Sequence, residues 1–251
     1  MLNKQAFVEL WIWHDIHLLD SQQADEYQRA FSPSEQQYLS RISNRRRQLE
    51  YIGGHYLLRQ MLDYHFPGWS NVLTIEHPPG EAPFFGGFNP DRIEFNLSHS
   101  GNSVCCAVSV NCNIGIDIES PGRHRPYQEM ADTYLASSES ERMNKLSADG
   151  KEKFFYRLWT LKESLLKARR GSLNSTEMKV EFRRLTRSCL QASKQQCAWY
   201  CYSFRAGSQY LALSVSRPLA GRLELRFFTA DLGRGTAERP QTVAYTPIYE
   251  P

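Results

Sequence analysis

The apolar positions along the chain change period several times, and each change predicts an element. Residues 6–13 (AFVELWIW) are dense in aromatic and branched side chains and predict a strand. Ser32-Pro33-Ser34-Glu35 sets Ser at an N-cap, Pro at the first helical position and Glu at the third, a pattern that starts a helix. Leu49, Ile52, Tyr56, Leu58 and Leu62 recur at mixed three-and-four spacing and predict a helix over about 45–65, ended by Pro67-Gly68. Residues 76–91 are rich in Pro and Gly and predict a loop. The stretch 93–119 predicts three short strands, with turns at Ser98–Asn102 and Asn111–Asn113. A short helix over 138–147 and a longer one over 151–169, stopped by Gly171, follow. Strands are then predicted at 178–183, 197–205 and 209–216, with Ala206-Gly207-Ser208 as a hairpin turn, and a last one at Leu223–Phe228. From Gly233 onward the chain is polar and predicts a loosely packed extension.

This order contains a weak echo. Residues 1–118 run strand, helices, then a hairpin ending in SVCCAVSV, while 119–228 run helices, then a hairpin ending in YLALSVS. The expected fold class is α+β, with two similar α/β halves at 1–118 and 119–230 and an extended tail at 231–251.

Composition narrows the class. The 251 residues suffice for one large domain or two small ones, and 41% hydrophobic with 23% charged residues is ordinary for a globular protein. No apolar run approaches the roughly 18–20 residues that span a bilayer. The N-terminus has neither the charge nor the cleavage site of a signal peptide, so the expected location is cytoplasmic. Six cysteines, at 105, 106, 112, 189, 197 and 201, lack C-x-x-C spacing and are expected to be reduced structural thiols. A formal charge of +3 is too small to mark a dedicated nucleic-acid binder, so the local distribution matters more.

Candidate chemistry gathers at a few places. Asp117 and Glu119 are two apart on a strand-like run and so share a face, where like charges repel unless a cation neutralises them. Oxygen ligands suit Mg²⁺, although two acids at a solvated strand end would read the same way. Glu163 lies in FFYRLWTLKESLLKARR, on a helical stripe with Trp159 and Lys167, where Glu163 and Lys167 could also form a surface ion pair. Arg41, Arg45, Arg46 and Arg47 form a basic run whose guanidinium forks match phosphate oxygens. The same run could serve a non-catalytic nucleic-acid-binding module, which is the alternative reading of the chain. Ser98 and His99 place a hydroxyl and an imidazole in one turn, within reach of a phosphate.

FNLSHSG, GIDIE and LWTLKESLLKA, in this order and at these separations, resemble the larger, monomeric class of the 4′-phosphopantetheinyl transferase superfamily. The resemblance spans roughly residues 30–215. It implies a pseudo-dimer of two α/β halves with the active site between them. It also implies an Mg²⁺-dependent transfer of the phosphopantetheine arm of coenzyme A to a serine of an apo acyl, peptidyl or aryl carrier protein, releasing 3′,5′-ADP. Such carriers serve fatty acid, polyketide and nonribosomal peptide biosynthesis. By resemblance the metal ligands are Asp117, Glu119 and Glu163. Ser98, His99 and Lys167 contact phosphate, Arg45, Arg46 or Arg47 takes the 3′-phosphate, and Glu139 in YLASSESE, Glu163 or a water accepts the serine proton, Glu139 ranking first. Two positions depart from the family pattern. A Gly-basic-Pro loop is replaced by Gly80-Glu81-Ala82-Pro83, and an arginine ahead of the helix glycines is replaced by Glu50.

Overall fold

The aromatic-rich segment at the start does form a strand, β1 (Phe7–Trp13), in a computed structural model of the chain. Residues 7–121, 126–171, 175–184, 190–192, 199–219, 225–228 and 241–243 are described. After β1 come helices α1 (Ser21–Gln28), α2 (Pro33–Ser40) and α3 (Arg45–His65). Strands β2 (Thr74–Glu76), β3 (Phe84–Gly86), β4 (Ile93–Ser100), β5 (Ser103–Val110) and β6 (Ile114–Glu119) follow. Next are helices α4 (Tyr127–Tyr134), α5 (Ser137–Asn144), α6 (Ala148–Ala168) and α7 (Ser175–Met178). The chain ends with β7 (Phe182–Arg184), β8 (Leu190–Ala192), β9 (Tyr200–Ala206), β10 (Gln209–Val215), β11 (Leu225–Phe228) and β12 (Gln241–Val243).

Two units result. The first contains Met1–Cys112 and takes back Leu219–Ala244; the second contains Asn113–Pro218. In the first, strands are ordered β12-β11-β1-β5-β4, with β1 antiparallel to β5 and parallel to β11. Every residue of β5 is buried, as expected of a central strand covered on both sides. Helix α3 presses Ile52, Leu57, Leu58, Met61 and Leu62 into a core with Trp13, Val104, Cys106 and Val108. Each such side chain contributes roughly 1.5–3 kcal/mol by leaving water. The predicted capping box of α2 is present: the Ser32 amide donates to Glu35 Oε2 (2.7 Å) and the Glu35 amide to Ser32 Oγ (3.2 Å).

The second unit is ordered β6-β10-β9-β8-β7, with α6 against it through Leu161, Leu165 and Ala168. Both units run strand, two short helices, a 21-residue helix, and a hairpin whose last strand pairs antiparallel with the first. The orders β1-β5-β4 and β6-β10-β9 therefore match. Counting from the hairpin turns, Trp13 faces Val104 as Glu119 faces Tyr210, and Trp11 faces Cys106 as Asp117 faces Ala212. The strand positions that carry two acids in the second unit thus carry two tryptophans in the first.

Several expectations need adjustment. Strand β6 lies wholly in the second unit, because all six of its residues pair with β10. Strand β11, expected in the second half, joins the first unit's sheet by parallel pairing with β1. The proposed loop at 76–91 contains β3 and the end of β2, strands of three residues that are too short to show a period. Helices α1 and α4 were not anticipated, since each buries only an alanine, Ala24 or Ala131. The expected loose extension at 231–251 lies outside the described residues, save for β12.

Candidate functional site

One glycine explains why Asp117 and Lys167 come close. A methyl group placed on Gly115 of β6 would stand 2.9 Å from the Ala168 Cα and nearer still to the Ser164 carbonyl and the Ala168 amide. Carbon atoms in contact sit ~3.5–4 Å apart. Only glycine therefore lets β6 lie directly against the backbone of α6. That approach brings Lys167 Nζ to 2.7 Å from Asp117 Oδ1 and 3.2 Å from the Ile116 carbonyl. Lys167 is thus paired with the strand acid.

Asp117 and Glu119 are both buried, at 5% and 6% exposure, on the same face of β6. Two buried carboxylates on one face are costly without countercharge. Lys167 supplies one positive charge. Glu163, half-buried, lies one helical turn before Lys167 on α6. Among the described residues no three acid, histidine or cysteine side chains form a ready metal cage. Mg²⁺ asks for less: one or two carboxylates, with water and phosphate oxygens filling the rest. The all-oxygen donor set of Asp117 and Glu119 fits that ion.

Glu139 has a different setting. It is the third residue of α5, and its Oε2 accepts from the Ala136 amide (2.9 Å) and from Lys162 Nζ (2.7 Å). The Lys162 side chain is fully buried and also donates to the Met178 and Val180 carbonyls at 2.7 Å each. Burial pushes the Lys162 ammonium below its usual range, and Glu139 opposes that shift. Sequence reading passed over Lys162 because a lysine between Leu161 and Glu163 resembles a solvated one. The matching unit carries a similar device: Arg59 of α3 bonds Glu35 of α2 at 2.6 Å, and His55 Nδ1 lies 2.7 Å from the same carboxylate. Burial alone would raise the Glu35 carboxyl, but the bonds from His55 and Arg59 outweigh it and hold it at about 2.

In the first unit, Ser98 and His99 lie on the closing residues of β4 and not in a turn; the turn is Gly101-Asn102, where Gly101 has φ +64°. Ser98 is buried and His99 exposed. His99 Nδ1 is 3.2 Å from Glu50 Oε2, and Arg47 Nη1 donates to the same oxygen at 3.0 Å. Arg46 Nε donates to Glu50 Oε1 at 3.1 Å, and its Nη2 to the Gly101 carbonyl. Arg46, Arg47 and His99 are thus brought together. Arg45 is not; it lines a separate cleft of about 590 Å³ with Arg29, Gln36 and Gln48. The arginine run is therefore not an even basic stripe of the kind a nucleic-acid backbone would track.

Cys105, Cys106, Cys112 and Cys201 are buried free thiols; Cys189 and Cys197 lie outside the described residues. Burial, and then the neighbouring Cys105, push the Cys106 thiol well up. Among the described residues no helix is long and apolar enough to cross a membrane.

The stretch that a family model matches has nearly the same bounds as the second unit, Asn113–Pro218. Residues 113–216 match the 4′-phosphopantetheinyl transferase superfamily (ACPS). The chain is 31% identical over 119 residues to the 4′-phosphopantetheinyl transferase HetI of a Nostoc species, covering 47% of this chain and 50% of that one. It is 33% identical over 86 residues to AcpT of Escherichia coli, covering 34% and 44%. With Sfp of Bacillus subtilis it shares 38% over 79 residues, covering 31% and 33%. The matched stretches span half or less of these relatives' lengths. The stretch that matches the 4′-phosphopantetheinyl transferase superfamily, residues 113–216, is the one that carries GIDIE and LWTLKESLLKA.

Proposed function

We propose that the protein transfers 4′-phosphopantetheine from coenzyme A to a serine of an apo carrier protein, acyl, peptidyl or aryl. The observation that carries this reading is the glycine-enforced contact that sets Lys167 against Asp117 beside Glu119, within the segment that matches the superfamily. The matching strand orders of the two units support a pseudo-dimer built from two similar halves. A monomer acting in the cytoplasm fits the same reading.

Asp117, Glu119 and Glu163 would hold Mg²⁺, which when bound offsets negative charge on pyrophosphate oxygens. The chain's own groups supply the rest. Ser98, His99 and the arginines near Glu50 bind coenzyme phosphates. Lys167 brings a fixed positive charge to the place where charge builds up on the leaving group. The carrier serine Oγ bonds to the β-phosphorus, the bond from that phosphorus to the bridging oxygen breaks, and 3′,5′-ADP leaves. The serine proton goes to a carboxylate or to a water. Glu139, Glu163 and a water are the candidates. Glu139 Oε2 accepts from the Ala136 amide and from Lys162 Nζ. These bonds also fix the start of α5 against α6.

The test is mass spectrometry of several apo carriers incubated with the protein, coenzyme A and Mg²⁺. A gain of one phosphopantetheine on any carrier supports the reading; no gain on all of them refutes it.

A further inference from the structure

A carboxylate sits where two guanidiniums and an imidazole meet, and it is buried. Glu50 is 5% exposed, yet Arg46 and Arg47 are about half exposed, with 49% and 57% of their side chains accessible. A surface ion pair on a helix has both partners in water and adds only a few tenths of a kcal/mol. Here one partner is out of water and is shared by three side chains from two elements, Arg46 and Arg47 of α3 and His99 of β4. Breaking one side of such an arrangement leaves a buried charge uncompensated.

Arg45, Arg46 and Arg47 occupy the first three positions of a 21-residue helix. Positive side chains there add to the positive end of the helix dipole and are unfavourable. Glu50 offsets part of that charge from within the helix. The Arg46 bond to the Gly101 carbonyl then ties the same turn to the β4–β5 hairpin. Two guanidiniums against one carboxylate leave a net charge of about +1, rising when His99 is protonated. Each guanidinium has five N–H donors, more than these bonds consume.

We infer that Glu50 is a positioning residue that holds Arg46, Arg47 and His99 as one receptor for a phosphomonoester, the 3′-phosphate of coenzyme A. A terminal phosphate offers three oxygens and close to two charges, which suits two forks and an imidazole better than a bridging phosphate does. This inference rests on the transferase reading for the identity of the ligand. It also turns the departure at Glu50 into a device: where the resemblance leads one to expect an arginine, this chain has a buried acid that aims two neighbouring arginines.

The experiment is calorimetric titration of the full chain with 3′,5′-ADP and, as the comparison lacking the 3′-phosphate, 5′-AMP. Neither needs a carrier or a metal. The unaltered protein is expected to prefer 3′,5′-ADP. Glu50→Gln keeps the size and an acceptor oxygen; it should weaken 3′,5′-ADP about tenfold and leave 5′-AMP within about twofold. Arg47→Lys keeps the charge but loses the fork, leaves the buried acid in place, and should show the same selectivity loss. Equal weakening of both nucleotides, no change in either variant, or no preference in the unaltered protein would each overturn the inference. The transferase reading is judged separately by carrier mass, so a protein that modifies carriers but shows no Glu50 effect loses only this inference. Selective nucleotide binding without any carrier modification removes only the transferase reading.

Discussion

Gly115→Ala and Gly54→Ala are the same chemical change, and the structure gives them opposite signs. At Gly115 the new methyl would meet the Ala168 Cα at 2.9 Å, with the Ser164 carbonyl and Ala168 amide closer still. All three are backbone atoms of α6 and cannot rotate away. Relief requires the strand and helix to separate by on the order of 1 Å, since carbon contacts settle near 3.5–4 Å. Overpacking of this kind costs about 1–3 kcal/mol. The same movement would stretch the 2.7 Å bond from Lys167 to Asp117 beyond hydrogen-bonding range. A charge-assisted bond of that type contributes about 1.5–3 kcal/mol. At Gly54, in the interior of α3, the nearest neighbours are Leu97 methyls at 3.8 Å, an ordinary contact. Alanine there should stabilise by about 0.5–1 kcal/mol through helix propensity and a less flexible unfolded chain. Thermal unfolding by circular dichroism reads both: a fall of roughly 5–10 °C for Gly115→Ala and a small rise for Gly54→Ala. Transfer to a carrier should fall at least about tenfold in Gly115→Ala, because misplacing a charged group by an ångström is costly. An unchanged melting temperature together with unchanged transfer in Gly115→Ala would show that the close approach neither limits the fold nor builds the site.

Further outcomes follow from single groups. Asp117→Asn should abolish the Mg²⁺-induced rise in melting temperature and reduce transfer by at least about a hundredfold; a variant that keeps both would remove Asp117 from the metal set. Glu139→Gln should destabilise by about 2–4 kcal/mol in urea unfolding, because the buried Lys162 loses its counterion, and Lys162→Met combined with it should recover part of that loss. Strictly additive losses would mean the two groups do not act as a pair. Acid stability should fall in two windows. His77 is held at about 4, first by burial and then by the neighbouring His55, so its neutral form favours the fold and protonation removes that support as pH drops from 6.5 through 4. Glu35, ionised in the fold down to about 2, adds a second loss as pH falls from 4.5 through 2. Melting temperatures recorded against pH should show the upper window flattened in His77→Phe and retained in Glu35→Gln; an unaltered profile in both would refute the assignment.

What the chain order settles by itself is local. The helix over Arg45–His65, the capping box at Ser32 and Glu35, the strands of 93–119 and the hairpin around Gly207 all follow from side-chain period and turn chemistry acting within a few residues. The ordered motifs around Ser98, Asp117 and Glu163 also pointed to the superfamily that residues 113–216 match. Helices α1 and α4 escaped because a helix that buries one alanine has almost no period to detect. Tertiary structure decided the partners. Nothing local says that β11 returns to lie parallel to β1, since parallel pairing is a long-range choice. Lys162 looked like surface and is core; Glu50 looked like a substitution and is the anchor of three side chains. Gly115 was one letter of a motif until the backbone of α6 was seen to occupy the space where its side chain would be. A sequence lists which charges a chain carries, but the cost of leaving one buried and unpaired depends on what surrounds it, and only the fold supplies those surroundings.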